Sequence, residues 1–193
     1  MELSRMTWSE ARGAFSKAQV ALLPVGSTEQ HGPHLPLGTD WLTAEEIAHR
    51  ASRVGGWLLL PTVPVGVSEH HRQFWGTLWV PPGVLRDYVV GIARALASHG
   101  LNRIVFVNGH GGNTPALDEA SRTLRREGIY AYVYVWWRAI PEVIAEIIES
   151  GGPTPGKWRP RLCWPLPESS CALSTIRKPS EAAPPNGGRR STG

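Results

Sequence analysis

The sequence predicts an α/β protein of three layers, with a mostly parallel sheet between helices. Two observations indicate this class. Short apolar runs that are typical of buried strands alternate along the chain with longer segments of helical periodicity. Each helical segment is long enough to carry the chain back across the sheet, as a crossover between parallel strands requires. The alternation therefore predicts helices on both faces of one sheet.

The first unit is predicted to be a strand, a loop and a helix. A short helix is expected over residues 9–12, and the apolar run VALLPV at residues 20–25 is a predicted buried strand. Helical spacing then runs through residues 40–52, for which Thr39 or Asp40 is a candidate N-cap. A polar segment rich in Gly and Pro connects this strand to this helix.

The second unit repeats this order. The run WLLLPTV at residues 57–63 is a predicted strand, and a long polar loop follows it. Residues 84–99 place their apolar side chains on one face and stop at Gly100, which predicts a helix.

The last predicted elements follow without long loops. The run RIVFV at residues 103–107 is a third strand, and it leads into a Gly-rich turn and a helix over residues 114–127. Residues 129–137 are a predicted fourth strand. Besides the short helix over residues 9–12, residues 140–149 are a predicted fourth helix.

Composition divides the chain of 193 residues into two parts. Residues 1–150 hold 13 Lys and Arg against 14 Asp and Glu, whereas residues 151–193 hold 7 against 2. The second part also contains 8 Pro, 6 Gly and both cysteines, Cys163 and Cys171. Such a composition does not offset the entropy of ordering the chain. We therefore expect an α/β domain over residues 1–150 and a disordered tail over residues 151–193.

These features also limit the partners and the compartment. Because the basic excess lies entirely in the tail, the sequence pI of about 9.4 is weak support for a nucleic-acid partner, and none is expected. No apolar run approaches the ~20 residues that span a bilayer, so no membrane is expected. The N-terminus, MELSRMTWSE, lacks a signal segment, which favours the cytoplasm.

The segment after the first strand carries the strongest chemical signal. In an extended chain Glu29 and His31 point to the same side, and Asp40 can return to the same point from the next helix. Carboxylate and imidazole ligands suit a divalent ion such as Zn²⁺, Mn²⁺ or Fe²⁺. The alternative is that Asp40 caps a helix and the other two are ordinary loop residues.

Two further loops begin at the same edge of the predicted sheet. In N-G-H-G-G-N at residues 108–113 the glycines leave His110 projecting from the strand end, although a phosphate-binding turn is an alternative. The loop over residues 66–78 brings His70 and His71 to this edge. Either histidine suits proton transfer or substrate binding, and the alternative is that the loop is a plain surface turn. Ligands of such sheets bind outside the carboxyl ends of the strands.

These three segments together resemble the creatininase (creatinine amidohydrolase) family. The resemblance covers residues 22–137, about three fifths of the chain, and rests on G-S-T-E-Q-H-G-P-H-L-P-L-G-T-D, G-V-S-E-H-H-R-Q-F-W-G-T-L and V-N-G-H-G-G-N in that order. It implies a metal-dependent hydrolase that uses a metal-activated water on the C–N bond of a cyclic amide or a formamide. It also implies a small-molecule amide substrate and a homo-oligomer, a hexamer in the family.

Carried over to this chain, the resemblance implies two divalent metal ions. Glu29, Asp40 and His110 would hold one, and His31 with a bridging Asp40 would hold the other. His71 is the implied catalytic residue in the substrate pocket. Trp136 and Trp137, at the end of the fourth strand, are candidates for the pocket wall or for the core.

The chain departs from the family pattern in two places. Gly112 stands where creatininase has a Glu for the second metal, and no segment like H-A-G-E-x-x-T-S follows, since the chain has no His after His110. Either a frame change near codon 151 has replaced the genuine C-terminal part, or this is a natural short relative. The alternative function is then a non-catalytic metal- or ligand-binding subunit, and a third is nucleic-acid binding through the tail.

Overall fold

The computed structural model describes residues 1–140. The helix predicted over residues 140–149 and the tail predicted over residues 151–193 therefore lie outside the described residues, apart from Ile140 itself. Among residues 1–140, no helix has the length and apolar character needed to cross a membrane.

Four parallel strands form the sheet, which confirms the predicted class. They are β1 (Ala21–Val25), β2 (Leu58–Leu59), β3 (Arg103–Asn108) and β4 (Tyr130–Val135), in the spatial order β2-β1-β3-β4. All three pairings are parallel, so the carboxyl ends of the strands meet at one edge. That edge is where the three motif-bearing loops begin.

The second strand is shorter than the sequence predicted. Only Leu58 and Leu59 pair with β1, because Pro61 has no N–H to donate to the ladder. The chain returns to β1 at Val63, which donates to the Pro24 carbonyl at 2.9 Å and accepts from Gly26 N–H at 2.9 Å. The apolar run is therefore interrupted as a strand, and it is buried at Leu58, Leu59, Leu60 and Val63 but exposed at Pro61.

Four helices surround the sheet: α1 (Trp8–Lys17), α2 (Thr39–Gly55), α3 (Pro82–Ser98) and α4 (Thr114–Arg126). Single 3₁₀ turns cover Leu3–Arg5, Glu69–His71, Gly111–Asn113 and Trp136–Arg138. The first helix is longer than predicted because Thr7 and Glu10 form a reciprocal capping box at its start.

Alternation along the strands assigns each core residue to one face of the sheet. Leu23 and Phe106 pack against α1, α3 and α4, whereas Leu22 and Val107 pack against α2. Each of these four side chains is at most 2% exposed. The result is the predicted three-layer arrangement, with α2 as the helix that covers the second face of the described sheet.

The start of α2 differs from the prediction in a way that matters for chemistry. Gly38 is the N-cap and no side chain caps the helix, so Thr39 and Asp40 lie inside its first turn. The predicted cap was wrong because the loop enters the helix one residue earlier. Asp40 is fully buried, since the first turn of α2 packs against the loop that follows β3.

Glycine at position 109 permits this close packing. A Cβ at Gly109 would overlap the backbone carbonyl oxygen of Asp40 and would lie 3.2 Å from the Cβ of Ala44. By contrast, a Cβ at Gly111, two residues along the same loop, would meet nothing within 4 Å.

Replacing Gly109 by alanine is therefore expected to destabilise the protein, whereas Gly111→Ala is not. Forcing a methyl group into a packed interface costs about 1–3 kcal/mol, and here it must push α2 away from β3. Urea unfolding of the two variants checks this. Equal midpoints for Gly109→Ala and Gly111→Ala would show that the contact is not tight.

Candidate functional site

Four ionisable side chains meet at the carboxyl edge of the sheet. Glu29 and His31 follow β1, Asp40 comes from the first turn of α2, and His110 follows β3. Their exposed fractions are 4%, 5%, 0% and 4%, so the cluster is almost completely shielded from solvent. The structure thus brings together all four residues that the sequence singled out as metal ligands.

The His110 ring lies between the two carboxylates. Its Nδ1 is 2.9 Å from Asp40 Oδ2 and 3.1 Å from Glu29 Oε1. Both carboxylates therefore contact the same ring nitrogen of His110.

The His31 ring approaches the other side of the same aspartate. Its Nε2 is 3.0 Å from Asp40 Oδ1 and 3.9 Å from Glu29 Oε1. Asp40 thus presents one oxygen to each histidine, which is the arrangement that a carboxylate bridging two cations requires.

Backbone carbonyls fix which nitrogen of each ring faces the carboxylates. His110 Nε2 is 2.9 Å from the Val67 carbonyl, and His31 Nδ1 is 3.1 Å from the Glu29 carbonyl. Because a carbonyl oxygen only accepts, each of these nitrogens donates its N–H. The opposite nitrogens, His110 Nδ1 and His31 Nε2, are left to face the carboxylates, as in metal-ligating histidines whose other nitrogen donates to a carbonyl.

The carboxylate of Glu29 is held in its charged form. Burial raises the pKa of Glu29, but the hydrogen bond and positive charge of His110, aided by His71 and His31, outweigh it and leave this pKa below its ordinary value. Glu29 Oε2 is buried and has no hydrogen-bond partner. A buried acceptor without a partner is costly, and it is the kind of atom a ligand or cation would satisfy.

The loop after β2 brings a second pair of histidines to the same cluster. His71 is half-buried, with Nε2 3.6 Å from Glu29 Oε2, and burial lowers its pKa although the Glu29 charge opposes this. His70 is exposed and stacks on His110, with the rings nearly parallel and their centres 5.6 Å apart. This loop therefore covers the cluster from its solvent side.

The donor atoms fit a divalent cation. Glu29, His31 and Asp40 each offer one atom within 4.8 Å of the others, and so do Glu29, His70 and His71. Carboxylate oxygens with imidazole nitrogens are the ligands of Zn²⁺, Mn²⁺ and Fe²⁺ sites.

The two aromatic residues suggested for the pocket wall follow β4. Trp136 is 4% exposed, and its ring meets Trp137 edge to face at 5.7 Å. This environment agrees with the alternative that the sequence left open, a place in the core.

Three buried polar side chains that the sequence reasoning passed over join the loops beneath the site. Asn113 donates to the Gly26 carbonyl at 2.9 Å and accepts from Val67 N–H at 2.8 Å. Ser27 donates to Ser68 between Oγ atoms 2.7 Å apart. Asn113 ends the N-G-H-G-G-N motif and Ser27 lies within the first motif, so motif membership was the available signal.

Comparison with known proteins gives matches in both sequence and fold. The family model for creatinine amidohydrolase matches residues 4–154. The chain is 45% identical over 116 residues to the mycofactocin precursor peptide peptidase of Mycobacterium ulcerans, covering 55% of this chain and 46% of that protein. It is 30% identical over 164 residues to the creatinine amidohydrolase of Pseudomonas putida, covering 77% and 63%.

The fold matches as well as the sequence. A crystal structure of creatinine amidohydrolase superposes with a TM-score of 0.78 at 27% identity, covering 95% of this chain and 79% of that one. The chain spans about half the length of the peptidase relative that it matches. Since the family model covers more than half of the chain, the protein belongs to the creatininase family.

Proposed function

We propose that this protein is a metal-dependent amidohydrolase that cleaves an amide C–N bond at the Glu29, His31, Asp40 and His110 cluster. The observation that carries the proposal is the orientation of the two rings. Each histidine donates one N–H to a backbone carbonyl and turns its other nitrogen to a different oxygen of Asp40.

These contacts support the ligand sets that the family resemblance implies. Glu29, Asp40 and His110 would hold one divalent ion, and His31 with Asp40 would contribute to a second. Bound divalent ions supply Lewis acidity that polarises a carbonyl and lowers the pKa of a water. Relatives support this chemistry, since solved creatininases include a manganese form and a zinc–zinc form.

The surrounding residues have roles of their own. The burial of Glu29 and Asp40 keeps bulk water from the cluster and strengthens every charge interaction inside it. His71, at the solvent side, is placed to contact a substrate that enters above Glu29. We assign it the catalytic role of contacting the amide group that is cleaved.

The substrate class follows from the relatives. The family resemblance implies a cyclic amide or a formamide, whereas the relative at 45% identity is named a precursor peptide peptidase. We propose a peptide amide as the first class to test, with a cyclic amide and a formamide next. The homo-oligomer and the cytoplasmic location remain predictions.

One observation favours a second candidate function, a metal-binding protein without catalysis. Within residues 1–140 the second ligand set has His31 and Asp40, and Gly112 occupies the position of the family glutamate. A weakly held second ion would forfeit much of the activation of water.

Metal binding is expected to depend on Asp40. Asp40→Asn removes the charge and replaces one of the two oxygens that face the two rings, so Zn²⁺ affinity should fall by at least ~100-fold. Calorimetric titration of the metal-free protein with Zn²⁺ and with Mn²⁺ measures affinity and stoichiometry. Glu46→Gln, also on α2 but paired with exposed Arg50, is the matched control and should bind like the wild type. Equal affinity in both variants would contradict the proposed ligands.

Turnover is expected to depend on His71. With Zn²⁺ or Mn²⁺ present, His71→Gln should lower the rate of amide hydrolysis by roughly 10²–10⁴-fold, the range for loss of a group that assists proton transfer or charge stabilisation. His99→Gln, at an exposed histidine beyond the end of α3, is the control and should keep full activity. Product release from the peptide, the cyclic amide and the formamide is measured by chromatography. Tight binding of metal without turnover of any amide would favour the non-catalytic candidate.

A further inference from the structure

Gln30 lies between two of the proposed ligands, yet its side chain points to the loop that follows β2. Its Oε1 is 3.0 Å from the backbone nitrogen of Gly32, and its Nε2 is 3.2 Å from His71 Nδ1. The residue is half-buried, and its contact with His71 is partly shielded from water whereas its contact with Gly32 is exposed. Gln30 therefore connects the backbone of the first motif to the imidazole of His71 in the loop that follows β2.

The chemistry of the two contacts fixes the orientation of the amide. The Gly32 N–H can only donate, so the Gln30 atom that faces it is the oxygen. The amide nitrogen then faces His71, and an amide nitrogen also can only donate. His71 Nδ1 must therefore accept, and the neutral ring carries its hydrogen on Nε2.

The other end of the ring agrees with this tautomer. His71 Nε2 is 3.6 Å from Glu29 Oε2, the buried carboxylate oxygen that has no hydrogen-bond partner. A carboxylate oxygen attracts an N–H and repels a lone pair. Both sides of the imidazole thus select the same tautomer, with Nε2–H directed into the site.

We propose that Gln30 is a positioning residue that fixes His71 as an N–H donor facing the reacting amide. His71 then donates a hydrogen bond to the carbonyl oxygen or to the leaving nitrogen of the substrate, where charge develops. The lone pair needed to accept a proton from water, or to ligate a cation through Nε2, is not presented. The statement that His71 donates to the substrate rests on the proposed function, whereas the assignment of its tautomer does not.

The tautomer can be read directly by NMR. Long-range ¹H–¹⁵N spectra of the full-length protein show which ring nitrogen of His71 carries hydrogen, and His71→Gln identifies its signals. We expect Nε2–H in the wild type, both in metal-free protein and after addition of Zn²⁺. A wild-type ring with hydrogen on Nδ1, or loss of the Nε2 hydrogen when Zn²⁺ binds, would overturn the proposal.

Two substitutions test Gln30 itself. In Gln30→Glu one carboxylate oxygen can keep the Gly32 N–H while the other now accepts from His71, which should move the hydrogen to Nδ1. Gln30→Met removes the donor, and the ratio of Nε2–H to Nδ1–H should fall several-fold. Gln73→Glu introduces the same charge at an exposed glutamine two residues from His71 and should leave the tautomer unchanged. Spectra that match the wild type in both Gln30 variants would show that Gln30 does not set the tautomer.

The outcome is separable from that of the proposed function. Because the spectra need no turnover, the expected tautomers without amide hydrolysis would refute the hydrolase and leave the Gln30 assignment intact. Hydrolysis by a protein whose His71 carries hydrogen on Nδ1 would refute the Gln30 assignment and leave the hydrolase intact. Should either Gln30 variant fail to fold, the wild-type spectrum still decides the orientation.

Discussion

The structure depends on the burial of two carboxylates, Glu29 and Asp40, at the carboxyl edge of a parallel sheet. Removing a charged carboxylate from water costs several kcal/mol unless other groups satisfy it. Here the groups that face the two oxygens of Asp40 are the imidazoles of His31 and His110, and a bound divalent ion would supply the compensating positive charge. A folded chain that holds these four side chains without solvent must place each ring accurately, and much of the surrounding structure serves that placement.

The placement is achieved by the backbone more than by side-chain packing. The Val67 carbonyl orients His110, and Val67 is in turn held by Asn113, which also bonds the Gly26 carbonyl. Three loops are thus joined by hydrogen bonds beneath the cluster. The same proximity demands glycine, since a Cβ at Gly66 would overlap Asn113 Oδ1 and the Gly26 carbonyl oxygen.

The contrast between local periodicity and long-range contacts explains what could be predicted from the sequence. Hydrophobic periodicity is local, so it located the strands and most helices, and parallel topology then placed Glu29, Asp40 and His110 at one edge. His31 bonds the Glu29 carbonyl only two residues away, but the other contacts that orient the rings and their loops are long-range, with 41 positions between Gln30 and His71 and 87 between Gly26 and Asn113. No local pattern encodes such contacts. The cap of α2 was mispredicted because tertiary contacts set where the loop enters the helix. The length of β2 was mispredicted because the apolar run was taken as one strand although Pro61 has no N–H to donate.

The space around Gly112 is linked to the orientation of the His110 ring. From the sequence, this glycine is simply the place where creatininase has a glutamate. In the structure a Cβ at residue 112 would overlap the Val67 carbonyl oxygen and lie 2.6 Å from His110 Nε2. Those two atoms form the hydrogen bond that turns His110 Nδ1 towards Asp40. A side chain at 112 and the present orientation of His110 therefore exclude each other. A glutamate at residue 112 would therefore require the loop that carries Val67 to move away from His110, so residue 112 and this loop have to change together.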